Sequence, residues 1–355
     1  MTEARWQDAI AGCLLGGAVG DAVGLACEGL TPRRQALLFP DTDGPRLLGR
    51  RGMVSDDTEH ALMTALAVLA SGDDTAEFAA CLARQLRKWI LELPAATGLA
   101  TLKACMRLLA GYGPDRSGVF SAGNGPCMRA PILGVCFHDD SARLAAMVRA
   151  STRITHTDPK AEWGALAVAM AAAHAAREGA IAPPDFAAFV EAALPVEAVE
   201  LFALVKSAQE SAQRGDTTER FAANCGFDHG VSGYVYHTVP VALHAWMRSP
   251  NDLRTAVLAT VRCGGDTDTV AAIVGGIIGA GTGRAGVPQD WLDRLMEWPR
   301  TVGWMESMSG QLARARNGRT SGAYRDAPYP AVLLRNVFFA ALVIVHGFRR
   351  LAPPY

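Results

Sequence analysis

Along most of this chain apolar residues recur at the spacing of a helix face and do not alternate as in a half-buried strand. After "SDDTEH", Leu62, Ala65, Leu66 and Leu69 fall on one stripe at i, i+3, i+4 and i+7. The same period predicts helices in "TAEFAACLARQLRKWILEL", "AEWGALAVAMAAAHAAREG", "TVPVALHAWMRS" and "NDLRTAVLATVRC". "VEAALPVEAVELFALVKSAQESAQR" also reads as helix, broken near Pro195. Gly, Pro and Asp punctuate these runs. No stretch alternates convincingly, and no repeat of solenoid period is evident. The pattern predicts an all-α fold, a compact multi-helix bundle forming one domain over residues 1–355.

Two loops interrupt the pattern: "GYGPDRSGVFSAGNGPCMRAP", between helical regions, and "ARARNGRTSGAYRDAPYP", ahead of the final segment. That segment, "AVLLRNVFFAALVIVHGFRRLAPPY", is the most apolar of all. Its uninterrupted run from Val337 to Val345 is shorter than the about 20 residues a bilayer needs. It reads as a buried core helix, with membrane-surface attachment as the alternative, and no membrane partner is expected.

Composition narrows the class. Half of the 355 residues are hydrophobic and 19% charged, enough to build a large core and unlike a disordered chain. The formal net charge of −1 gives no basic surplus for nucleic acid. The N-terminus lacks a basic segment and places Asp8 ahead of its apolar part, unlike a secretory signal. The eight cysteines form no C-x-x-C pair and read as buried free thiols of a cytoplasmic protein. A monomer is expected.

Two helix mouths carry the chemistry. "RCGGDTDTVAAIVGGIIGAGTG" sets Asp266 and Asp268 between Thr267 and Thr269, ahead of an uncharged run. "GMVSDDTEHALMTALAVLA" sets Ser55, Asp56, Asp57 and Thr58 at the start of another helix. Each cluster alone reads equally as helix capping, because Ser, Thr and Asp oxygens accept the free N–H groups of a first turn. Together they read differently. If both helices enter one core, four carboxylates meet, and their repulsion requires cations. Oxygen ligands without neighbouring His or Cys select hard divalent ions over zinc. Two Mg²⁺ or Mn²⁺ ions are therefore expected.

Four further stretches stand out. In "GCLLGGAVGDAVGLACEGL", Gly16, Gly17, Gly20 and Gly24 permit close helix packing. Asp21 interrupts that apolar surface and needs a partner: a neighbouring helix end or the metal site. Glu28 falls in the loop beyond, within reach of a ligand. Gly123-Asn124-Gly125 is a turn signal ahead of Pro126, reading as a plain turn or as N–H groups open to phosphate. His156 and Asp158 precede Pro159, where a structural loop histidine is the simpler reading. In "HGVSGYVYHTVP", Gly230 and Gly233 leave room beside the backbone for a ligand. Tyr234 or Tyr236 is placed either to stack on a base or to pack in the core.

Taken in this order, "GCLLGGAVGDAVG", "SDDTEHAL", "GNGPCMRAPILG", "THTDP", "SGYVYHTVPVALHAW" and "CGGDTDTVAAIVGGIIGA" resemble the ADP-ribosylglycohydrolase family over roughly residues 9–285. The closing "RNVFFAALVIVHGFRRL" also looks like a C-terminal helix of bacterial relatives. The resemblance implies an all-α fold with a binuclear Mg²⁺ or Mn²⁺ centre where helix ends converge. It implies metal ligation by Ser55, Asp56 and Asp57 on one side and by Asp266, Asp268 and Thr269 on the other. Glu28 matches an acid on a mobile loop near the metals. Asn124, Gly125 and Met128 would lie along the ADP-ribose, with His156 and Tyr234 beside its phosphates or adenosine.

The implied reaction is hydrolytic removal of mono-ADP-ribose from a modified protein, releasing free ADP-ribose. The N-glycosidic bond to arginine is the first choice of linkage. Asp57, Glu28 and Asp268 are then the catalytic candidates, with Asp57 or Glu28 handling the proton. The resemblance implies that some arginine-directed members carry an extra acid in the loop ahead of the Gly-Asn-Gly turn. Here that loop offers Asp115, and Ser121 stands just ahead of the turn. The alternatives are an O-linked (serine) linkage, a modified nucleic acid or small molecule, and an immunity protein that binds a cognate ADP-ribosyltransferase toxin. The intact set of acids favours catalysis over binding alone.

Overall fold

The computed structural model describes residues 2–180, 182–316, 326–351 and 353. Among these, eighteen α-helices run in chain order. They are α1 (Glu3–Gly24), α2 (Pro32–Leu38), α3 (Asp56–Ser71), α4 (Thr75–Leu91), α5 (Leu99–Leu109), α6 (Gly125–Met128), α7 (Ala130–Cys136), α8 (Ser141–Arg153) and α9 (Pro159–Glu178). Then follow α10 (Phe186–Ala193), α11 (Val199–Arg214), α12 (Thr218–Asn224), α13 (Val235–Arg248), α14 (Leu253–Arg262), α15 (Thr267–Thr282), α16 (Gln289–Leu292), α17 (Val302–Arg316) and α18 (Tyr329–Arg350). Backbone pairing outside helices is confined to isolated bridges among the described residues. The all-α expectation holds, and the break at Pro195 separates α10 from α11. Part of the loop "ARARNGRTSGAYRDAPYP", residues 317–325, lies outside the described residues.

The pairing of α1 with α15 sets the frame. A methyl group on Gly12, Gly16, Gly20 or Gly24 would sit 2.1–2.4 Å from a backbone oxygen of α15. These two backbones therefore touch directly, at a distance only glycine permits. Gly17, named with them in the sequence, has more room: the atom nearest to a methyl group there would be Ala272 O of α15 at 3.5 Å. Both helices are almost wholly buried. Their contact fixes the C-terminal end of α1 against the mouth of α15, where Thr267 Oγ1 donates to Gly24 O at 2.8 Å.

The core runs from Trp6 to Ala313 through most of the helices. Seven cysteines are buried in it, Cys225 is half-buried, and all eight are free thiols. Burial pushes the Cys27 and Cys81 thiols up to about 11.

One expectation is corrected. The closing apolar segment is not a core helix: on α18 only Val332, Arg335, Asn336 and Phe339 are buried. Two described helices are long and apolar enough to cross a membrane by length and composition, Glu3–Cys27 and Tyr329–Arg350. The first is 94% buried inside the protein and the second 22%. Hydropathy gave α18 a place inside, but its polar residues decide the packing. Arg335 donates to Glu297 at 2.7 and 2.9 Å and to Glu59 at 3.3 Å, so the face with the arginine turns inward.

Candidate metal centre and cleft

The mouths of α3 and α15 converge. Ser55 caps α3, its Oγ accepting from Asp57 N at 3.2 Å and donating to Asp57 Oδ2 at 3.1 Å. From α15, Thr269 Oγ1 donates to the same Oδ2 at 3.1 Å. Asp266 occupies the N-cap position of α15 yet caps nothing. Its Oδ2 instead accepts from Asn124 Nδ2 at 2.6 Å. The capping reading thus holds for Ser55 and fails for Asp266, whose carboxylate is turned into the cleft.

Asp21 supplies the link to α1. Its two oxygens accept from Ser55 N at 3.0 and 2.9 Å, from Thr58 N at 3.1 Å and from Thr58 Oγ1 at 2.5 Å. Asp21, Asp57 and Asp268 each bring an oxygen within 4.8 Å of the others. Asp21 is already filled by these donors, so it reads as the anchor of the α3 mouth and not as a ligand. Burial raises its carboxyl to about 7 against these hydrogen bonds.

Two oxygens tell another story. Asp57 Oδ1 and Asp268 Oδ1 are buried without a hydrogen-bond partner. A buried carboxylate oxygen without a donor is costly unless a cation meets it. Burial, and then the neighbouring carboxylates, raise Asp56, Asp57 and Asp268 well above the ordinary range. Glu28 is raised by burial and by Asp266, with Arg350 opposing. No lysine or arginine is among the described residues lining the cleft. This is the donor set of a hard divalent ion: carboxylates with hydroxyls, unneutralised by basic side chains.

Backbone pairing places Glu28. It follows a single 3₁₀ turn, Leu25–Cys27. Gly29 N donates to Gly265 O at 2.7 Å, and Gly265 N to Leu30 O at 2.8 Å. Gly265 has φ +80, and a Cβ there would lie 2.1 Å from Val231 O, so the glycine is required. Asp266 N then donates to Val231 O at 2.7 Å.

The cleft measures about 380 Å³, within the range of small-ligand sites. Its walls include Glu28, Asp56, Asp57, Asp266, Asp268 and Thr269 at one end. Asn124, Gly125, Met128, His156 and Gly233 line the rest. Ser55 is buried, in contact with Asp57, and is not among the lining residues. Tyr234 is not among the lining residues; its hydroxyl accepts from Lys160 Nζ at 3.0 Å. Tyr236 is buried, the core-packing alternative. Asp158 caps α9 through Lys160 N at 2.9 Å. Asp115 is exposed and does not line the cleft, whereas Ser121 does.

Several residues here gave no sequence signal. Arg129 is fully buried, donating to Ser151 Oγ at 2.9 Å, Thr155 Oγ1 at 2.7 Å and His60 Nδ1 at 2.9 Å. Since arginine only donates, His60 Nδ1 must be the acceptor, a neutral ring. Burial, then Arg129, lowers His156 to about 3, so it too faces Gly123 and Gly125 uncharged. Thr238 Oγ1 accepts from Asn124 Nδ2 at 2.9 Å, holding that amide toward Asp266. Ala96, with φ +60, and Leu99 and Thr101 form the opposite rim. A loop residue in left-handed backbone and a helix start without a capping side chain leave no periodic trace.

A family model described as ADP-ribosylglycohydrolase matches residues 2–322. The ADP-ribosyl-[dinitrogen reductase] glycohydrolase of Rhodospirillum rubrum is 26% identical over 83% of this chain and 92% of its own. The ADP-ribosylarginine hydrolase Tri1 of Pseudomonas putida is 29% identical over 83% of this chain and 76% of its own. A solved structure titled ADP-ribosylglycohydrolase-related protein complex superposes with a TM-score of 0.64 at 29% identity, covering 88% of this chain and 99% of that one.

Proposed function

The chain belongs to the ADP-ribosylglycohydrolase family, and we propose that within it the protein cleaves mono-ADP-ribose from arginine side chains of a modified protein. Hydrolysis of an ADP-ribosyl bond is the activity of the family; the arginine linkage and the ions are our reading. The observation that carries metal-dependent hydrolysis is the pair of buried, partnerless oxygens, Asp57 Oδ1 and Asp268 Oδ1, on residues that line the cleft. The Rhodospirillum and Pseudomonas relatives, both named for ADP-ribosyl hydrolysis, support it.

Ser55, Asp56 and Asp57 from α3, with Asp266, Asp268 and Thr269 from α15, would hold two Mg²⁺ or Mn²⁺ ions. When bound, such ions orient the ribose hydroxyls, offset developing charge and acidify water. The remaining chemistry belongs to side chains. Hydrolysis moves one proton of water to the departing guanidine nitrogen, so one group must accept it and pass it on. Glu28 suits this role: it sits at the cleft, and burial beside Asp266 raises its proton affinity. Asp57 is held by Ser55 and Thr269 and fits a fixed ligand better. Neutral His156 and the Asn124 amide offer uncharged hydrogen-bonding groups along the ADP-ribose.

One observation favours a second reading, an O-linked serine substrate. The loop ahead of the Gly-Asn-Gly turn puts Ser121, not an acid, at the cleft, so no carboxylate there meets a guanidinium. The experiment measures release of free ADP-ribose from arginine-linked and serine-linked proteins, with Mg²⁺, Mn²⁺ or EDTA. Metal-dependent cleavage of the arginine-linked protein is expected, and its loss in Asp268→Ala. Cleavage of the serine-linked protein alone replaces the linkage. Cleavage of neither, with metal bound, removes both linkages and leaves a binding protein or a hydrolase of another ADP-ribosylated substrate.

A further inference from the structure

We propose that the outer face of α18 is the seam of a two-fold symmetric dimer, joining this helix to its counterpart in a second copy of the chain. The helix has a mixed inner face and an apolar outer one. Val332, Arg335, Asn336 and Phe339 bury one against the domain. On the other, Leu334, Val337, Ala341, Ile344 and Phe348 are exposed. Their spacings are 3, 4, 3 and 4, the a/d repeat of a helix that packs along another helix. Phe338 and Val345 widen the stripe at the e positions, while the buried Val332 and Phe339 fall at f, opposite the seam. Trp298 touches the flanking Phe338, while the five seam residues stay exposed among the described residues, and the stripe lies beyond the 2–322 span of the family model.

Size and charge name the occupant. Leu334, Val337, Phe338, Ile344, Val345 and Phe348 are each 40–69% exposed. Side chains of this size and number offer an area of the order of the about 800 Å² that each partner buries in a standard interface. The helix has no acidic residue, and its exposed basic end is Arg349. Antiparallel pairing about a two-fold axis sets that end beside the uncharged Tyr329 end of the other copy, and it aligns the helix dipoles favourably. A bilayer fits less well. Arg335 and Asn336 tie the middle of α18 to Glu59, Glu297 and Glu92 O, so it cannot leave the domain to span lipid.

Sedimentation equilibrium of the full chain tests this, together with Val337→Glu/Ile344→Glu. Both side chains are exposed in a single copy, so the variant should melt as the parent does once dimerisation is accounted for. The expected result is twice the single-chain mass for the parent and the single-chain mass for the variant. A second measurement uses Ala341→Cys, at the middle of the seam, which should form a disulfide-linked dimer under mild oxidation. Leu334→Cys, far from its counterpart in an antiparallel pair, should not. A parent that is single-chain at all concentrations, without Ala341→Cys cross-linking, overturns the proposal. So does a single-chain parent that floats with phosphatidylcholine–phosphatidylglycerol vesicles, which would make the face a membrane surface. Neither result bears on whether the cleft hydrolyses ADP-ribose.

Discussion

Thr269 Oγ1 donates a 3.1 Å hydrogen bond to Asp57 Oδ2, so the mouths of α15 and α3 share one carboxylate across 212 residues of sequence. With Ser55 on the same oxygen, that leaves Asp57 Oδ1 aimed at the space Asp268 Oδ1 also faces. Removing Asp268 should abolish both metal-induced stabilisation and ADP-ribose release. Thr269→Val keeps the shape but drops the hydroxyl; metal affinity should fall about 10–100-fold, the usual cost of losing an orienting partner. Calorimetric titration with Mn²⁺ measures both. Unchanged affinity in Asp268→Ala would put the ions elsewhere.

The α1–α15 contact separates two adjacent glycines. A Cβ on Gly16 would stand 2.3 Å from Gly275 O, a backbone atom that cannot step aside. On Gly17 the nearest atom is 3.5 Å away. Gly16→Ala should therefore destabilise by about 1–3 kcal/mol or more through overpacking. Gly17→Ala should be neutral or stabilise by up to about 1 kcal/mol through helix propensity. Urea unfolding of both variants decides; equal effects would mean the helices do not touch here.

That pair of glycines also shows what a sequence can carry. Spacing announced that α1 packs closely, but Gly16 and Gly17 look alike until a partner helix is placed. The acid clusters were legible because they break apolar periodicity at two points. Asp21 was legible as a residue needing a partner, with a neighbouring helix end as one alternative, though not which helix it holds. Arg129, Thr238 and the Ala96 rim were invisible, because their roles depend on contacts from distant segments. The apolarity of α18 was read as burial, when the buried face is the one with the arginine. Hydropathy counts apolar residues but does not say which side of a helix the charges select.

Arg335 offers a test of that last point. It is 2% exposed and bonded to Glu59, Glu297 and Val54 O, just ahead of Ser55. Glu59 also accepts from Trp89 Nε1 at 2.6 Å. Arg335→Ala would strand two buried carboxylates, a loss of about 3–5 kcal/mol. Because the break lies behind the α3 mouth, metal affinity should fall with it. Arg335→Lys, lacking the fork that meets Glu297 in two places, should recover only part of the stability. Chemical denaturation of the three proteins, with and without Mn²⁺, gives the answer; a loss under 1 kcal/mol in Arg335→Ala would show that α18 is not held by this network.

Metal and pH should act on stability in a linked way. In the metal-free protein Asp56, Asp57 and Asp268 have folded pKa values raised well above the carboxylate range, and Asp21 is raised to about 7. The folded state then holds protons that the unfolded state releases. The stability tied to these groups is full below the unfolded value near 4 and is lost as pH rises through the folded values. Histidines run the other way. Burial lowers His156 to about 3 and His244 to about 4, from an ordinary 6.5. Their contribution is full above 6.5 and is lost as pH falls toward 4. Between pH 5 and 6.5 the two trends oppose in EDTA, and above that range only the carboxylate loss continues. Divalent metal replaces the protons, keeps the carboxylates ionised and leaves the histidine trend alone. Stability with Mn²⁺ should therefore rise from pH 5 to 7, while in EDTA it stays flat or declines toward pH 8. The difference in melting temperature should grow with pH, to about 3–4 °C at a hundredfold excess of metal over its Kd. Differential scanning calorimetry at pH 5, 6.5 and 8 measures it. A metal effect that is absent, or equal at all three, would mean that ions do not compete with protons for Asp56, Asp57 and Asp268.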